Sequence, residues 1–436
     1  MNQRPGRLTA TLPAELRAES QAGGPSLRPL RIAIVSQYFP PEIGATQLRM
    51  QSFAEYLALR GHSVTVICEQ PNHPLGVISA EYKGMLVEDD LWNDYRVLRV
   101  WVKANPMKTQ TTRIAFYVSF SAMAVAVTPL VGPVDVVVAT TPPLFTGAAG
   151  LALARLNRAP LVLDVRDLWP AAAVSLEQIG RGLPLYVAEW LEKQLYNGAA
   201  AVTAVTQPFC EHIDSVRNSG PGAILLPNGT LDVFFGGGPV ERLARADEFL
   251  VMFAGTHGIA QALPSVLDAA ELVEGVARFA FVGDGPVKAR LTRDSTARQL
   301  SNVDFYPQRP LEEILPVLRG SDALLVPLSA HPTFADFVPS KMIDFMATGR
   351  PVVLAAQGES ARILSVSGGG IAVPPEDHRE LAGAVRWLAE HPAEAEEMGR
   401  KGQEFARKRL RHVQARRLEA VLLDCVAAKA QDRLEA

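Results

Sequence analysis

The residues best suited to hold a charged ligand lie in the run FADFVPSKMIDFMATGRPVV. Pro339 favours the first turn of a helix, where a backbone N–H has no intrahelical partner. Ser340 and Lys341 then present backbone N–H groups at the helix start, and Lys341 adds a mobile cation. Asp336 precedes this helix and Asp344 lies within it. The arrangement fits a diphosphate between sugar and ribose hydroxyls, although two acids at this spacing are by themselves more typical of a solvated helix face.

Glycine-containing loops follow three other runs of β-type residues. SQYFPPEIGAT contains Gly44, AGTHGIAQ contains Gly258, and VGDGP contains Gly283 and Gly285. Such a loop offers backbone N–H groups, and a helix that follows it offers its positive dipole end to an anion. The first loop alone is equally compatible with an ordinary turn, and it lacks the GxGxxG pattern of nicotinamide dehydrogenases. Three such loops at strand ends favour an anion site.

A further cluster, DVRDLWP, places Asp164, Arg166 and Asp167 beside Trp169 at a predicted strand end. Three ionisable groups within four residues favour a functional site, with a structural Arg–Asp pair as the alternative. The sequence offers no Asp-x-Asp pair or histidine cluster at a strand end, so it predicts no metal site.

Composition is that of an ordinary globular protein. The chain has 436 residues, of which 48% are hydrophobic and 20% charged, and this length suits two α/β domains. The net charge of −3 gives no general attraction to nucleic acid. Three widely spaced cysteines match no metal-ligand pattern, which indicates reduced thiols in a cytoplasmic protein. Residues 1–28 lack the apolar stretch of a secretion signal and are predicted to be a flexible leader.

Short β-type runs alternate with helical patterns along the chain, which predicts doubly wound sheets. The predicted strands are 32–35, 64–67, 97–102, 134–138, 161–165, 200–205 and 224–226, then 249–253, 279–282, 303–306, 323–326, 352–355 and 371–373. Several are apolar at every position, as in parallel strands buried on both faces. The predicted fold class is α/β, with two Rossmann-like domains facing each other across a cleft. The first covers 29–228, a linker 229–247, the second 248–410, and a C-terminal helix 411–436 can pack back on the first domain.

These motifs resemble glycosyltransferase family 4, retaining enzymes of the GT-B fold, and in particular a bacterial branch with WbuB-like aminosugar transferases and colanic acid fucosyltransferases. The motifs that carry the resemblance are SQYFPPEIGATQLR, RDLWP, AGTHGIAQAL, VGDGP and VPSKMIDFMATGRPVV, in the family's order. The resemblance extends over residues 31–430. It implies an acceptor-side first domain and a second domain that binds a nucleotide diphosphate sugar, most often a UDP-sugar. It implies no metal and no other cofactor.

The resemblance also implies roles for individual residues. Gly44 would approach the donor diphosphate from the first domain, and Ser340 and Lys341 from the second. Asp344 would hold the ribose hydroxyls, and Asp336 would lie near the sugar ring. Both acids are usually Glu in the family, so this chain departs from its pattern.

Thr256 and Gln261 stand where many family members carry the Arg and Lys that neutralise phosphate. That leaves Lys341, backbone amides, Lys288 and Arg309 to stabilise the leaving diphosphate, an electrostatic role in a fold with no assured enzymic nucleophile. The predicted catalytic residues are Asp167, Lys341 and Asp336, and the predicted donor-binding residues are Gly44, Gly258, Gly283, Gly285, Arg309, Ser340, Lys341 and Asp344.

Residues 114–131 carry no charge over about the length that spans a bilayer. Ser, Thr and Pro within this stretch disfavour a spanning helix. Two interpretations of the stretch remain, a core helix and a helix docked on the inner leaflet of the membrane. Docking is slightly favoured because Lys103, Lys108 and Arg113 precede the stretch.

The predicted function is sugar transfer from a nucleotide diphosphate sugar to a membrane glycolipid or surface polysaccharide precursor. The protein would be cytoplasmic and peripheral on the inner membrane. One alternative is a nucleotide-sugar 2-epimerase, which needs acid/base groups beside the sugar ring that the sequence does not identify. The other is a non-catalytic nucleotide-sugar-binding protein, which the altered positions Thr256 and Gln261 favour.

Overall fold

The structure is a computed structural model that describes residues 28–42, 44–73, 75–107, 109–170, 174, 182–245 and 247–435. Residues 1–27 of the predicted leader and Lys108 lie outside the described residues. The chain forms two compact units. Residues up to 228, together with those from 411 onward, make the first unit, and residues 229–410 make the second.

An eight-stranded sheet forms the centre of the first unit over the described residues. Its strands are β1 (Arg31–Val35), β2 (Ser63–Glu69), β3 (Val87–Trp92), β4 (Tyr95–Val100), β5 (Val136–Thr141), β6 (Leu161–Val165), β7 (Ala201–Ala204) and β8 (Ile224–Leu225). They lie in the order β3-β4-β2-β1-β5-β6-β7-β8, and only β3 and β4 pair antiparallel. Chain order reverses between β1 and β5, where doubly wound sheets open a crevice at the carboxyl ends of their strands.

Helices cover both faces of this sheet. They are α1 (Ala45–Leu59), α2 (Gln110–Ala126), α3 (Thr128–Val131), α4 (Leu144–Leu156), α5 (Leu183–Gly198) and α6 (Gln207–Val216). Helix α4 packs against both α2 and α5 on one face, and α1 covers the other. The strands between these layers are buried along most of their length, which explains why they are apolar at successive positions.

A six-stranded parallel sheet forms the centre of the second unit over the described residues. Its strands are β9 (Phe249–Ala254), β10 (Ala277–Val282), β11 (Val303–Tyr306), β12 (Ala323–Pro327), β13 (Val352–Ala355) and β14 (Gly370–Val373), in the order β11-β10-β9-β12-β13-β14. The helices are α7 (Leu263–Leu272), α8 (Lys288–Ala297), α9 (Leu311–Arg319), α10 (Ser340–Ala347), α11 (Glu359–Ser367), α12 (His378–Glu390) and α13 (Pro392–Arg407).

The last helix, α14 (Arg411–Glu435), belongs to the first unit and packs along α1. Leu418 and Leu422 of α14 are buried in the same core cluster as Phe53 and Leu57 of α1. The carboxylate of Glu419 also accepts a hydrogen bond from the Arg60 guanidinium at 3.2 Å. The end of the chain therefore completes one face of the first domain.

The prediction of two doubly wound α/β domains is confirmed, and every predicted strand overlaps an observed one. Strand β3 was not predicted. It is an antiparallel edge strand whose residues VEDDLW are mostly part-exposed, so it lacks the continuous apolar pattern of the parallel strands. Residues 229–247, predicted as a linker, cluster with the second unit, where Phe234 is buried in the core.

Helices α2 and α3 cover the uncharged stretch 114–131. No helix in the described ranges is long and apolar enough to cross a membrane. One face of α2 joins the core through Phe120 and Ala124, whereas Ile114 is 54% and Val118 46% exposed on the other. The stretch thus combines a core face with an exposed apolar face.

Candidate functional site

A cavity of about 260 Å³ opens at the carboxyl ends of β9, β10 and β11 in the second unit. The loops 254–256 and 282–284 form one side of it, and Gln308 and Arg309 lie after β11. Ile314 and Leu318 of α9 form an apolar wall together with Phe234. Carboxyl ends of parallel strands are where ligands bind in open α/β sheets.

The two glycine loops of this cavity pack backbone to backbone. Gly255 has φ +136° and Gly283 has φ +144°, a region that side chains rarely adopt. A Cβ atom on Gly283 would lie 2.0 Å from the carbonyl oxygen of Gly255, so only glycine fits. Gly285 is held in the same way against the carbonyl oxygen of His257. The loops consequently border the cavity with bare backbone, as close approach of a phosphate requires.

Gly258 does not line the cavity. Its backbone N–H donates to the side-chain oxygen of Gln261 at 3.1 Å, which shapes the turn between β9 and α7. The sequence therefore located the glycine loops, and the structure brings Gly283, but not Gly258 or Gly285, to the cavity wall.

Lys341 lies in the first turn of α10 and reaches toward the end of β9. Its ammonium donates to the carbonyl oxygen of Ala254 at 3.3 Å and lies 4.6 Å from the centre of the Phe253 ring. A Cβ atom on Gly255 would lie 2.5 Å from Nζ, so the ammonium lies directly beside this cavity-lining glycine. Burial lowers the pKa of Lys341 to about 8.

The other two predicted cations already have protein partners. Lys288 donates from Nζ to the carbonyl oxygens of Gly283 at 2.6 Å and Tyr306 at 2.7 Å. It therefore ties the loop after β10 to the end of β11. Arg309 lines the cavity and forms an ion pair with Glu241 at 2.9 Å.

The acids of the motif around α10 differ in their surroundings. Asp344 lines the cavity and accepts a hydrogen bond from the hydroxyl of Thr230 at 2.7 Å. Asp336 is exposed in the turn that precedes α10. Ser340 begins α10 after Pro339, and no side chain caps the start of this helix. Backbone N–H groups at such a start favour a bound anion.

The remaining predicted residues belong to the first unit. Gly44 precedes α1 in extended backbone conformation, and no side chain caps that helix either. Asp167 follows β6, and burial raises its pKa. Arg166 donates to the Thr140 hydroxyl at 2.6 Å and contacts the hydroxyl of Thr46 near the start of α1. Burial also lowers the pKa of Arg166 to about 10.

Asp164 is paired with a residue that the sequence did not indicate. Both of its carboxylate oxygens accept from the Arg49 guanidinium, at 2.8 and 3.0 Å, and the Thr203 hydroxyl donates at 2.8 Å. Arg49 is 5% exposed and Asp164 is fully buried. The structural Arg–Asp pair that the cluster allowed does occur, but its arginine comes from α1 and is not Arg166.

Sequence analysis missed the apolar wall of the cavity and the contact between Thr230 and Asp344. Ile314 and Leu318 are four positions apart on α9, a spacing that places both on one face, but a core face looks the same in sequence. No group of three or more His, Cys, Asp or Glu side chains arranged to hold a metal ion occurs within the described ranges.

Two family models match the chain. A glycosyl transferase 4-like domain covers residues 44–229, and a domain of glycosyl transferases group 1 covers residues 248–391. The chain is a glycosyltransferase, and its two Rossmann-like domains give it the GT-B fold. Both halves belong to glycosyltransferase domain families, and the cavity described above lies in the second.

Individual relatives agree with this assignment. The chain is 23% identical over 382 residues to WcaI of Escherichia coli (strain K12), assigned by name to glycosyl transfer in colanic acid biosynthesis, covering 82% of this chain and 91% of WcaI. Sucrose-phosphate synthase from Thermosynechococcus elongatus superposes with a TM-score of 0.69 at 21% identity, covering 91% of this chain and 99% of that one. Anabaena HepE, solved in complex with UDP, superposes with a TM-score of 0.66 at 16% identity, covering 91% of this chain and 100% of HepE.

Proposed function

We propose that this glycosyltransferase moves a sugar, with retention of configuration, from a nucleoside diphosphate sugar to a glycolipid or surface polysaccharide precursor. The observation that carries the proposal is the position of Lys341. Lys341 belongs to the uncapped first turn of α10, and its ammonium lies beside Gly255, which lines the 260 Å³ cavity. A cation, bare glycine backbone and a helix start together suit the charge that develops on a leaving diphosphate.

The nucleotide would occupy the same cavity. The apolar wall of Phe234, Ile314 and Leu318 suits a base, and Asp344 suits ribose hydroxyls. UDP is the proposed diphosphate because HepE, which shares the fold, was solved with UDP. The name of WcaI supports a polysaccharide or its lipid-linked precursor as the acceptor.

Two further residues would act in the transfer step. Asp167 is half-buried with a raised pKa, which suits a carboxylate that takes the proton of an acceptor hydroxyl. Asp336 would hydrogen-bond the transferred sugar from the exposed turn before α10. Retention would require the acceptor hydroxyl to attack the cation-like sugar from the face that the diphosphate leaves, while electrostatic stabilisation lowers the energy of the sugar cation and of the departing diphosphate.

We also propose that the first domain docks peripherally on the inner leaflet of the membrane. Leu183, Tyr186, Val187 and Trp190 of α5 are 50–74% exposed and recur at the spacing of one helix face. Ile114 and Val118 of α2 add exposed apolar side chains on the same layer of helices. Tyr and Trp are favoured at the interface between lipid and water.

Incubation of the full chain with UDP-sugars tests the function and its alternatives. A glycosyltransferase releases UDP and extends a polyprenyl diphosphate-linked sugar only when that acceptor is present. A new nucleotide sugar formed without acceptor would instead identify a 2-epimerase. UDP binding with no turnover on any lipid-linked or polysaccharide acceptor would identify a non-catalytic binding protein.

A further inference from the structure

A second cavity, of about 170 Å³, lies within the first unit. Its walls come from the loops after β1, β2 and β4 and from the first two turns of α2. The polar side chains in its wall are those of Tyr38, Asn72, His73, Asn105, Thr112, Arg113 and Tyr117. The cavity thus lies at the carboxyl ends of adjacent parallel strands, where doubly wound sheets bind ligands.

The wall combines aromatic rings with hydrogen-bonding groups. The Tyr117 ring stacks on Phe145, with centroids 6.3 Å apart, which fixes one face of the opening. Tyr38 and Tyr117 are hydrogen-bonded neighbours in this wall, and burial together with Tyr117 raises the pKa of Tyr38 well above its usual value. Aromatic rings beside amide, hydroxyl and guanidinium groups suit a polar ring with several hydroxyls. The volume suits one such ring.

The wall contains a cation and no carboxylate. Among the described residues that line the cavity, Arg113 supplies the guanidinium and His73 an imidazole, and none is acidic. Two carboxylates nearby are engaged by the loop itself. Glu42 accepts the backbone N–H groups of Asn72 and His73 at 2.7 Å each, and Glu69 accepts the side-chain amide of Asn72 at 2.8 Å. These carboxylates hold the loop that carries His73.

We propose that this cavity binds the acceptor through a sugar ring that bears an anionic substituent, a phosphate or a carboxylate. The inference rests on the proposed function and narrows the class of acceptor. Arg113 and His73 would face the anion, and Tyr38 and Tyr117 would contact the ring. Arg113 is a binding residue in this scheme because a guanidinium matches the paired oxygens of phosphate and carboxylate.

The test is ligand-observed NMR titration of the full chain with glucose 1-phosphate, glucuronate, glucose and inorganic phosphate, each with UDP present. Glucose 1-phosphate and glucuronate should bind about tenfold or more tightly than glucose, the gain of one charge-assisted contact. Arg113→Gln should remove this preference, and His73→Asn, on an exposed loop residue, should reduce it. Lys103→Gln is the matched control, because Lys103 is an exposed cation outside the cavity wall and its loss should change nothing.

Four outcomes would overturn the inference while UDP binding persists. The first two are equal affinity for glucose and glucose 1-phosphate, and equal affinity for inorganic phosphate and glucose 1-phosphate. The third is a preference for the anionic sugars that is unchanged in both Arg113→Gln and His73→Asn. The fourth is a loss of that preference in Lys103→Gln as large as in Arg113→Gln. A preference for only one of the two anionic sugars supports the inference and identifies the substituent. Failure of UDP itself to bind would count against the proposed function instead, so the two failures are distinguishable.

Discussion

The ammonium of Lys341 lies 4.6 Å from the centre of the Phe253 ring, within hydrogen-bond distance of one backbone carbonyl. No carboxylate of the described residues offsets this charge, and burial lowers the pKa of Lys341 to about 8. A π face and a carbonyl hold the cation without neutralising it. A diphosphate bound beside Gly255 would supply the missing negative charge.

Replacing Lys341 with alanine should lower turnover about 100-fold or more, because the leaving diphosphate loses its nearest cation. Stability should change little, since a buried, unneutralised ammonium is itself unfavourable. Steady-state kinetics and a melting curve check both expectations. Lys401→Ala, on the exposed surface of α13, removes the same charge elsewhere and should retain wild-type turnover. Normal turnover of Lys341→Ala would exclude Lys341 from the site.

The lowered pKa of Lys341 predicts a pH dependence of UDP binding. Below about pH 8 the side chain is charged, so affinity should be high and then fall as pH rises through that value. The unfolded chain keeps the proton up to about pH 10.5, so the free protein should gain stability between these two values. Calorimetric titration from pH 6.5 to 9.5 measures the affinity. Lys341→Arg, which stays charged, should flatten the profile, and an equally steep profile in that variant would assign the dependence to another group.

Asp344→Ala should weaken UDP binding about tenfold or more, because one charge-assisted hydrogen bond contributes about 1.5–3 kcal/mol. Thr230→Val is the matched control. It removes the hydroxyl that donates to Asp344 at 2.7 Å but leaves the carboxylate in place. Calorimetric titration with UDP alone compares the affinities of the two variants. A change of less than about twofold in Asp344→Ala would indicate a carboxylate that only positions the segment around Thr230.

Much of the fold was predictable because parallel strands buried on both faces leave continuous apolar runs, as in β5 and β10. Strand β3 was not predictable, since an edge strand needs no continuous apolar pattern and most residues of β3 are part-exposed. The glycine loops around Gly255 and Gly283 were also visible, because each needs a residue without a side chain.

Partners that are distant in the chain could not be predicted. The sequence shows that Lys288 follows a glycine loop, but it does not show that the ammonium of Lys288 donates hydrogen bonds to two carbonyl oxygens. Similarly, Arg49 and Asp164 are separated by 115 positions, and only the folded sheet brings them together. Local motifs therefore predicted the glycine loops that border the cavity, and the fold decided which nearby charges are already engaged by protein groups.

The Arg49–Asp164 pair should be important for stability. Arg49→Met would leave a fully buried carboxylate without its cation, which costs about 3–5 kcal/mol. The matched control is Arg31→Met, which breaks the Arg31–Asp135 pair, where Arg31 is half exposed, and should destabilise the protein much less because solvent screens this pair. Urea denaturation measures both. Equal destabilisation by the two variants would contradict a special role for the buried pair.

His257 should make the second unit sensitive to acid. It is fully buried among Phe253, Phe281 and Phe305, and neither ring nitrogen has a partner among the described residues. Burial, and the nearby Lys288, lower its pKa to about 4. The unfolded histidine takes up a proton near pH 6.5, so stability should fall as pH drops from about 6.5 toward 4. Melting curves over that range should show a shallower decline in His257→Phe, and an unchanged decline would locate the sensitivity elsewhere.

Substitutions in α2 can separate membrane docking from core packing, because one face of this helix is exposed and apolar and the other is buried in the core. Ile114→Ser with Val118→Ser should weaken co-sedimentation with vesicles of phosphatidylethanolamine and phosphatidylglycerol without changing the melting temperature, since both side chains are about half exposed. Phe120→Ser should instead destabilise the first domain by a few kcal/mol, about the cost of emptying a buried aromatic site. Val366→Ser is the matched control, because it removes an exposed apolar side chain from the second unit and should leave sedimentation intact.

High salt should release the wild-type protein, because each flanking cation contributes about 1 kcal/mol near an anionic surface. Sedimentation of the double variant at the wild-type level, with its melting temperature preserved, would show that this face does not contact lipid.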